Sequence, residues 1–175
     1  PTNFAAALCF YNTEIFDEVG VEVPTTYDEL LDVCQKIKDA GYTPINCSAG
    51  TAWCLSMVAS YLCDRQGVDL AAIASHEANW TDENCVEAGT KLKELSQYFQ
   101  ETAAGDSNDQ ATAGFYNGEA AMLIQGSWAI AQINGNSADF ESKCGVFQFP
   151  AIEGANDPNR MIVKTDNLLM SATTE

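Results

Sequence analysis

The sequence predicts an α/β domain. Patterns of helical spacing outnumber short apolar runs of strand type, and the two kinds alternate along the chain, which favours an α/β layer arrangement over a helical bundle or a β-sandwich. The chain has 175 residues, 46% of them hydrophobic, and can bury the core of one ordinary domain but not of two large ones. Because ligands of open α/β sheets bind at the carboxyl ends of strands, a site is expected there.

A strand and two helices are predicted at the start of the chain. Residues 4–10 are an apolar run without helical gaps, and Asn12 is placed to cap a short helix that ends at Gly20. Residues 26–29 form a capping box, in which the Thr hydroxyl accepts from the Glu amide and the Glu carboxylate reaches back to the cap. A longer helix with one apolar stripe is therefore predicted over residues 27–40.

Three further helices are predicted in the middle of the chain. The first covers residues 52–63, where apolar side chains recur at helical spacing. The second follows Thr81 as its N-cap and extends past Tyr98, and Trp80 before the cap fits a hydrophobic staple, which assigns this ring to structure. The third is short and ends at residues 117–118.

Two strands and another helix are predicted in the last part of the chain. Residues 120–124 form an apolar run that leads to Gly126, and a helix is expected to begin near Ser127. Residues 146–149 predict the second strand, which a proline ends. A loop rich in Gly, Asn, Asp and Pro then leads to a final apolar stretch toward Met170.

The charge balance excludes several classes of partner. With 25 acidic and 8 basic side chains the formal charge is −17, which repels phosphate backbones and anionic lipid surfaces, so nucleic-acid binding is not expected. No stretch approaches the roughly 20 apolar residues that span a bilayer. Residues 1–10 have neither a basic start nor a cleavage pattern, so any export signal is expected outside this chain.

Seven cysteines are scattered through the chain without a C-x-x-C pair. They are Cys9, Cys34, Cys47, Cys54, Cys63, Cys85 and Cys144. Their odd number argues against a fully paired disulfide scaffold, and several occupy apolar helical positions, so we expect mostly reduced cysteines in the core. His76 is the single histidine and has no second ligand at a telling spacing, so neither a metal site nor a cofactor is predicted.

Four segments together resemble the carbohydrate-binding branch of the bacterial solute-binding proteins, the maltose-binding-protein-like family. They are residues 8–16 (LCFYNTEIF), 23–31 (VPTTYDELL), 115–128 (FYNGEAAMLIQGSW) and 145–150 (GVFQFP). Each pattern alone occurs in many folds, but their order and spacing are specific. The resemblance spans nearly the whole chain.

This resemblance implies a non-catalytic receptor. The expected fold is a periplasmic-binding-protein-like lobe, helix-rich with a central mixed sheet, in which residues 1–175 form the C-terminal lobe of a two-lobed protein. The N-terminal lobe, the last helices and the lipoprotein signal of the family pattern are expected outside this chain. The receptor would bind a sugar or oligosaccharide in the interlobe cleft and deliver it to the membrane subunits of an ABC importer. It would be extracellular or periplasmic, held at the membrane only by a lipid anchor.

Aromatic and polar residues after the third of these segments are the first candidate ligand contacts. An aromatic ring offers a flat apolar face that matches the C–H face of a sugar ring. Trp128 follows a strand end and stands beside a helix start, and the resemblance implies that it stacks on sugar. Gly126 would let a ligand approach the backbone closely, and Ser127 would either donate to the ligand or cap its own helix.

Three more candidate contacts come from earlier segments. Trp53 lies in residues 48–53, which resemble the family segment that places an aromatic residue in the cleft, although ordinary helix packing is an equal alternative. Tyr11 and Asn12 lie at the inferred crossover between lobes, where they would line the hinge and face the ligand. Asn12 also has the capping role already assigned to it.

Two other functions stay open at the level of sequence. A carbohydrate-active enzyme needs two carboxylates across a cleft, and this acidic chain has many candidates, but it has no nucleophile elbow, metal-binding cluster or phosphate loop. Alternatively, the same fold would bind a non-sugar solute such as a polyamine. The acidic surface suits a cation, whereas the tryptophans favour a neutral sugar.

Overall fold

A mixed β-sheet lies at the centre of the fold. The computed structural model describes residues 1–137, 139–153, 159–169 and 171, and within them five strands form one sheet. The strands are β1 (Asn3–Asn12), β2 (Thr43–Asn46), β3 (Ala120–Gly126), β4 (Cys144–Phe147) and β5 (Val163–Asp166). Their order is β2-β3-β1-β4, with β5 paired to β1, and the predicted α/β fold with a central mixed sheet is confirmed.

Strand β1 organises the sheet. It runs antiparallel to β3, β4 and β5, whereas β2 and β3 are parallel. The pairing of β1 with β3 begins where Ala7 lies opposite Gly126. Residues 3–6 pair with β5 instead, for example Ala5 with Lys164. The start of β1 and β5 therefore form a two-stranded ribbon that continues beyond the end of β3.

Seven α-helices occur in the described part of the chain. They are α1 (Thr13–Val19), α2 (Tyr27–Asp39), α3 (Ala52–Arg65), α4 (Leu70–Ala74), α5 (Glu83–Leu95), α6 (Asn108–Tyr116) and α7 (Ala129–Asn136). The predicted Asn12 cap, the Gly20 end of α1 and the capping box of α2 are all confirmed. None of these described helices is long and apolar enough to cross a membrane.

Two predictions about α5 are wrong. Its N-cap is Asp82 rather than Thr81, and the helix ends at Leu95, where a single 3-10 turn follows. The carboxylate of Asp82 accepts from the amide of Asn79 at 3.0 Å, and this turn holds the start of the helix one residue later than predicted. Trp80 then lies two positions before the cap, where it is 64% exposed and forms no staple.

Two further segments differ from the sequence expectations. Helix α4 was not predicted because five residues are too few to show a helical period, and Asp69 caps it by accepting from two backbone amides. Strand β5 occupies part of the final apolar stretch. Met170 lies outside the described residues, as do residues 154–158 of the predicted loop.

The core has one cluster on each face of the sheet. The larger cluster joins β1 and β3 to α2, α3 and α5, and the smaller one joins them to α6 and α7. Adjacent residues of β1 serve opposite faces, so that Cys9 enters the larger cluster and Phe10 the smaller. Of the seven cysteines, six are buried, and burial raises the pKa of Cys34 to about 12, which keeps this thiol protonated at neutral pH.

Arg65 at the end of α3 is a buried charge that holds the chain before β5. Its side chain is completely buried, and its guanidinium pairs with Asp64 at 2.6 Å. The same group donates to the backbone carbonyls of Phe149, Pro150 and Arg160 at 3.1 to 3.2 Å. These hydrogen bonds fix the segment after β4 and the approach to β5 against one helix end.

Candidate functional site

A buried polar contact joins three elements at the end of β3. Gln125 is fully buried, and its amide nitrogen donates to the carboxamide oxygen of Asn108 on α6 and to the sulfur of Cys54 on α3. Its carbonyl oxygen accepts from the amide of Gly126 at 3.0 Å. Asn108 in turn donates its backbone N–H to the hydroxyl of Thr51, just before α3. The start of α3 is thereby held beside the last residue of β3.

Trp128 folds back over Gly126. A Cβ atom added to Gly126 would overlap three atoms of the Trp128 indole ring. The absence of a side chain at Gly126 therefore makes room for the tryptophan ring, and the approach of a ligand to this backbone stays a prediction. The ring is therefore fixed at the edge of the sheet where β3 ends, two residues beyond its last residue.

Trp53 and Trp128 form one aromatic pair. Their ring centroids are 5.5 Å apart with an interplanar angle of 66°, which is the edge-to-face geometry that aromatic quadrupoles prefer. Trp53 lies in the first turn of α3 and is 46% exposed, and Trp128 is half-buried. The structure thus brings the two sequence-predicted tryptophans together and leaves ring surface open to solvent.

The pair forms one wall of a pocket of about 400 Å³ between α3 and β5. Its lining combines aromatic, aliphatic and hydroxyl groups with one amine, from Trp53, Ser56, Met57, Ser60, Trp128, Ile162 and Lys164. A concave surface that is mostly apolar and has a few polar groups is typical of small-molecule sites. None of its lining residues in the described chain is a carboxylate. Across the described ranges, no group of three or more His, Cys, Asp or Glu side chains could hold a metal ion.

Ser127 joins β3 to β1 through its backbone. Its amide donates to the carbonyl of Ala6 at 2.8 Å, and α7 begins after Trp128 without a side-chain cap. The alternative in which the Ser127 hydroxyl caps its own helix is therefore not realised. Ser127 is half-buried, and the contact of its hydroxyl with a ligand stays a prediction.

The structure places Tyr11 and Asn12 away from the tryptophan pair, and their contact with a ligand at the hinge stays a prediction. Because β1 and β3 are antiparallel, Gly126 meets Ala7, and Tyr11 lies four residues further along β1, about 13 Å away. The Tyr11 ring packs on Phe16 and Phe147 with centroids 4.7 and 5.8 Å apart. The Asn12 carboxamide is buried and caps α1.

Sequence reasoning missed the pocket residues on α3 and β5. The ammonium of Lys164 lies 5.7 Å from the Trp128 ring centroid and 2.9 Å from a carboxylate oxygen of Asp166, and the hydrogen bond from Lys164 lowers the pKa of that carboxyl. The stripe of Trp53, Met57 and Ser60 has helical spacing and could have been found. Lys164 could not, because its position depends on the pairing of β5 with β1.

Solved structures of other proteins share this fold. A chitin oligosaccharide binding protein has a TM-score of 0.85 and 27% identity, over 93% of this chain and 42% of that protein. A protein from work on xylan utilization by the thermophilic bacterium Caldanaerobius polysaccharolyticus has a TM-score of 0.86 and 29% identity, over 92% of this chain and 43% of that protein. The fold is that of a periplasmic-binding-protein-like lobe.

The sequence match defines the family more narrowly. The family model for bacterial extracellular solute-binding proteins covers residues 1–174, and the chain belongs to this family. The multiple sugar-binding protein of Streptococcus mutans is 26% identical over 176 aligned residues, which are 95% of this chain and 40% of that protein. The chain thus spans about two fifths of the length of the relatives it matches.

Proposed function

We propose that this chain is the C-terminal lobe of a two-lobed receptor that binds a sugar or oligosaccharide and delivers it to an ABC importer. The observation that carries the proposal is the exposed edge-to-face pair of Trp53 and Trp128 in an open pocket. The two indole rings together give this concave surface a contiguous apolar area, and a sugar presents the flat C–H face that suits such a surface. The names of the matched relatives support this class of ligand.

The proposed mechanism uses the open side of this pocket. In the proposed receptor the second lobe covers the tryptophan pair, and sugar bound between the lobes stabilises the closed form that the membrane subunits recognise. The ribbon of β1 and β5 adjoins the pocket through Lys164. In this proposal the ribbon connects the lobes. The receptor works outside the cytoplasm in this proposal, with a lipid anchor or export signal supplied by other parts of the protein.

The two rival functions fit the pocket less well. Hydrolysis of a glycosidic bond requires a pair of carboxylates, and the lining residues of the described pocket include none. A polyamine needs carboxylates to pair with its charges, and the described residues that line the pocket include none. A neutral sugar avoids both difficulties, and the proposed receptor performs no catalysis.

Calorimetric titration of the two-lobed receptor tests the proposal. The panel contains mono- and oligosaccharides, with polyamines as controls, and the variants are Trp128→Ala and Trp80→Ala. We expect saturable sugar binding that Trp128→Ala weakens by at least about 30-fold, the loss of about 2 kcal/mol typical of a central aromatic contact. Trp80→Ala, which removes an exposed indole away from the pocket, should leave the affinity unchanged.

Each failure has a separate meaning. Absence of binding to every sugar, together with binding of a polyamine, would contradict the ligand class. Equal sugar affinity for the wild type and Trp128→Ala would contradict the site. Release of free sugar from a glycoside by the pure protein would overturn the non-catalytic assignment.

A further inference from the structure

The tryptophan pocket has a neighbour on the other side of Ile162. A second depression of about 510 Å³ is lined by residues that include Asp64, Gly67, Ala71 and Arg160. Ile162 lines both depressions and is half-buried between them. The two concave surfaces therefore share a wall and lie along the same side of the domain.

Two walls run the length of both depressions. On α3, Trp53 and Ser60 line the first depression and Asp64 lines the second, at a spacing that repeats on one helix face. From Trp53 to Asp64 the helix rises about 16 Å. The facing wall contains Arg160 and Ile162, which precede β5, and Lys164 within β5. The length of the α3 wall suits several linked sugar rings and is not needed for one.

Arg160 supplies hydrogen-bond donors to the second depression. Its side chain is 59% exposed, and one of its terminal nitrogens pairs with Asp64 at 3.1 Å. Its backbone carbonyl accepts from the buried guanidinium of Arg65, which fixes the residue against α3. A guanidinium has five N–H donors, so after its contact with Asp64 it retains donors for the hydroxyl groups of a sugar.

We propose that the two depressions form one groove for a linear neutral oligosaccharide, with one end on Trp53 and Trp128 and the other on Arg160. This inference rests on the proposed sugar-binding function and adds a chain-length preference to it. The second depression, here called the outer depression, binds the additional rings of a longer sugar and so raises its affinity. A monosaccharide occupies only the tryptophan end. Charge does not select an anionic chain here, because Arg160 and Lys164 are each paired with a carboxylate.

The test is a length series titrated into the two-lobed receptor. The probes are xylose, glucose and N-acetylglucosamine, each with its 1,4-linked oligomers of increasing length. Ala71→Phe places a ring in the outer depression without touching the tryptophan pair. Ala74→Phe is the matched control, because Ala74 is also exposed on α4 but lines neither depression.

The expected result has two parts. In the wild type and in Ala74→Phe, affinity rises with length within the series that binds. In Ala71→Phe the short members keep their affinity and the long members lose at least about tenfold, so that the curve becomes flat. Arg160→Gln should reduce the affinity of the long members in the same selective way.

Two results would overturn the groove while leaving sugar binding intact. One is a wild-type affinity that does not change with length, and the other is an Ala71→Phe variant that binds every member as the wild type does. A folded wild-type receptor that binds no sugar of any length would remove the proposed function, and the groove with it.

Discussion

The two ends of α3 differ in how they bury a large side chain: one end exposes an aromatic ring, and the other buries a charge. At the first turn Trp53 is 46% exposed beside an open pocket, and at the last turn Arg65 is completely buried. Residue type alone predicts the reverse, since Arg is among the least buried residues and Trp is highly buried on average. One end leaves apolar surface uncovered, and the other satisfies a charge inside the protein.

The contrast separates binding from stability along one helix. Arg65 contacts the segment between β4 and β5 through hydrogen bonds that leave its charge well compensated. Trp53 contacts Trp128 edge-on and keeps ring surface available. Changes at the Arg65 end should therefore lower the free energy of unfolding, and changes at the Trp53 end should lower ligand affinity.

The largest effect is expected from Arg65→Met. The substitution keeps much of the side-chain volume but leaves the carbonyls of Phe149 and Pro150 without their donor, and Asp64 without its closest partner. We expect a loss of about 3–5 kcal/mol in the free energy of unfolding, measured by urea denaturation. Lys36→Met, at an exposed position of α2, is the control and should change this value by less than about 0.5 kcal/mol. A loss below about 1 kcal/mol for Arg65→Met would contradict the structural role.

Gly126→Ala should have a smaller effect, with affinity as the main readout. Its new methyl group collides with the Trp128 ring and displaces it from the pocket wall. We expect sugar affinity in calorimetry to fall by at least about tenfold, with a loss of about 1–3 kcal/mol in stability from overpacking. Gly135→Ala in α7 has open space and should be neutral or stabilising by up to about 1 kcal/mol. An unchanged affinity for Gly126→Ala would show that the ring position does not matter for binding.

The smallest effect is expected on the pH dependence of stability, from Glu29, whose charge is exposed whereas that of Arg65 is buried. The Glu29 carboxylate accepts from the amide and hydroxyl of Thr25 and from the amide of Thr26, and these hydrogen bonds lower its pKa from 4.5. Stability from a lowered carboxyl pKa is present above the unfolded value and is lost as the pH falls through the folded value. The wild type should therefore lose more stability than Glu29→Gln between about pH 5 and about pH 3. Parallel stability profiles for the two proteins in this range would contradict the contribution of the cap.

Local signals predicted much of this fold. The caps at Asn12 and Thr26, the end of α1 at Gly20 and the buried strand before Gly126 depend on neighbours within a few residues, and the structure confirms them. The predicted start of α5 was wrong because Thr81 and Asp82 are both residue types that favour the N-cap position. The hydrogen bond from the Asn79 amide to the Asp82 carboxylate decides between them. Local chemistry left that choice open.

The site was predicted only in part, because its other half depends on strand pairing. Trp53 and Trp128 could be named from their segments, and α3 and β3 bring them together. The distance of Tyr11 from this pair could not be predicted, since the antiparallel register of β1 with β3 is not visible in the sequence. Lys164 depends in the same way on β5, and the burial of Arg65 depends on carbonyls more than 80 positions away.

Intrinsic fluorescence of a Trp80→Phe receptor tests the central claim most directly. The chain has three tryptophans, so this variant keeps only Trp53 and Trp128 in the present domain, and indole emission responds to a ring that stacks on the fluorophore. Any tryptophans of the proposed second lobe are replaced by phenylalanine in the same protein. We expect a saturable change in emission with sugar, with the same Kd as calorimetry gives. Saturable binding in calorimetry with unchanged emission would contradict the assignment of this tryptophan pair as the sugar platform.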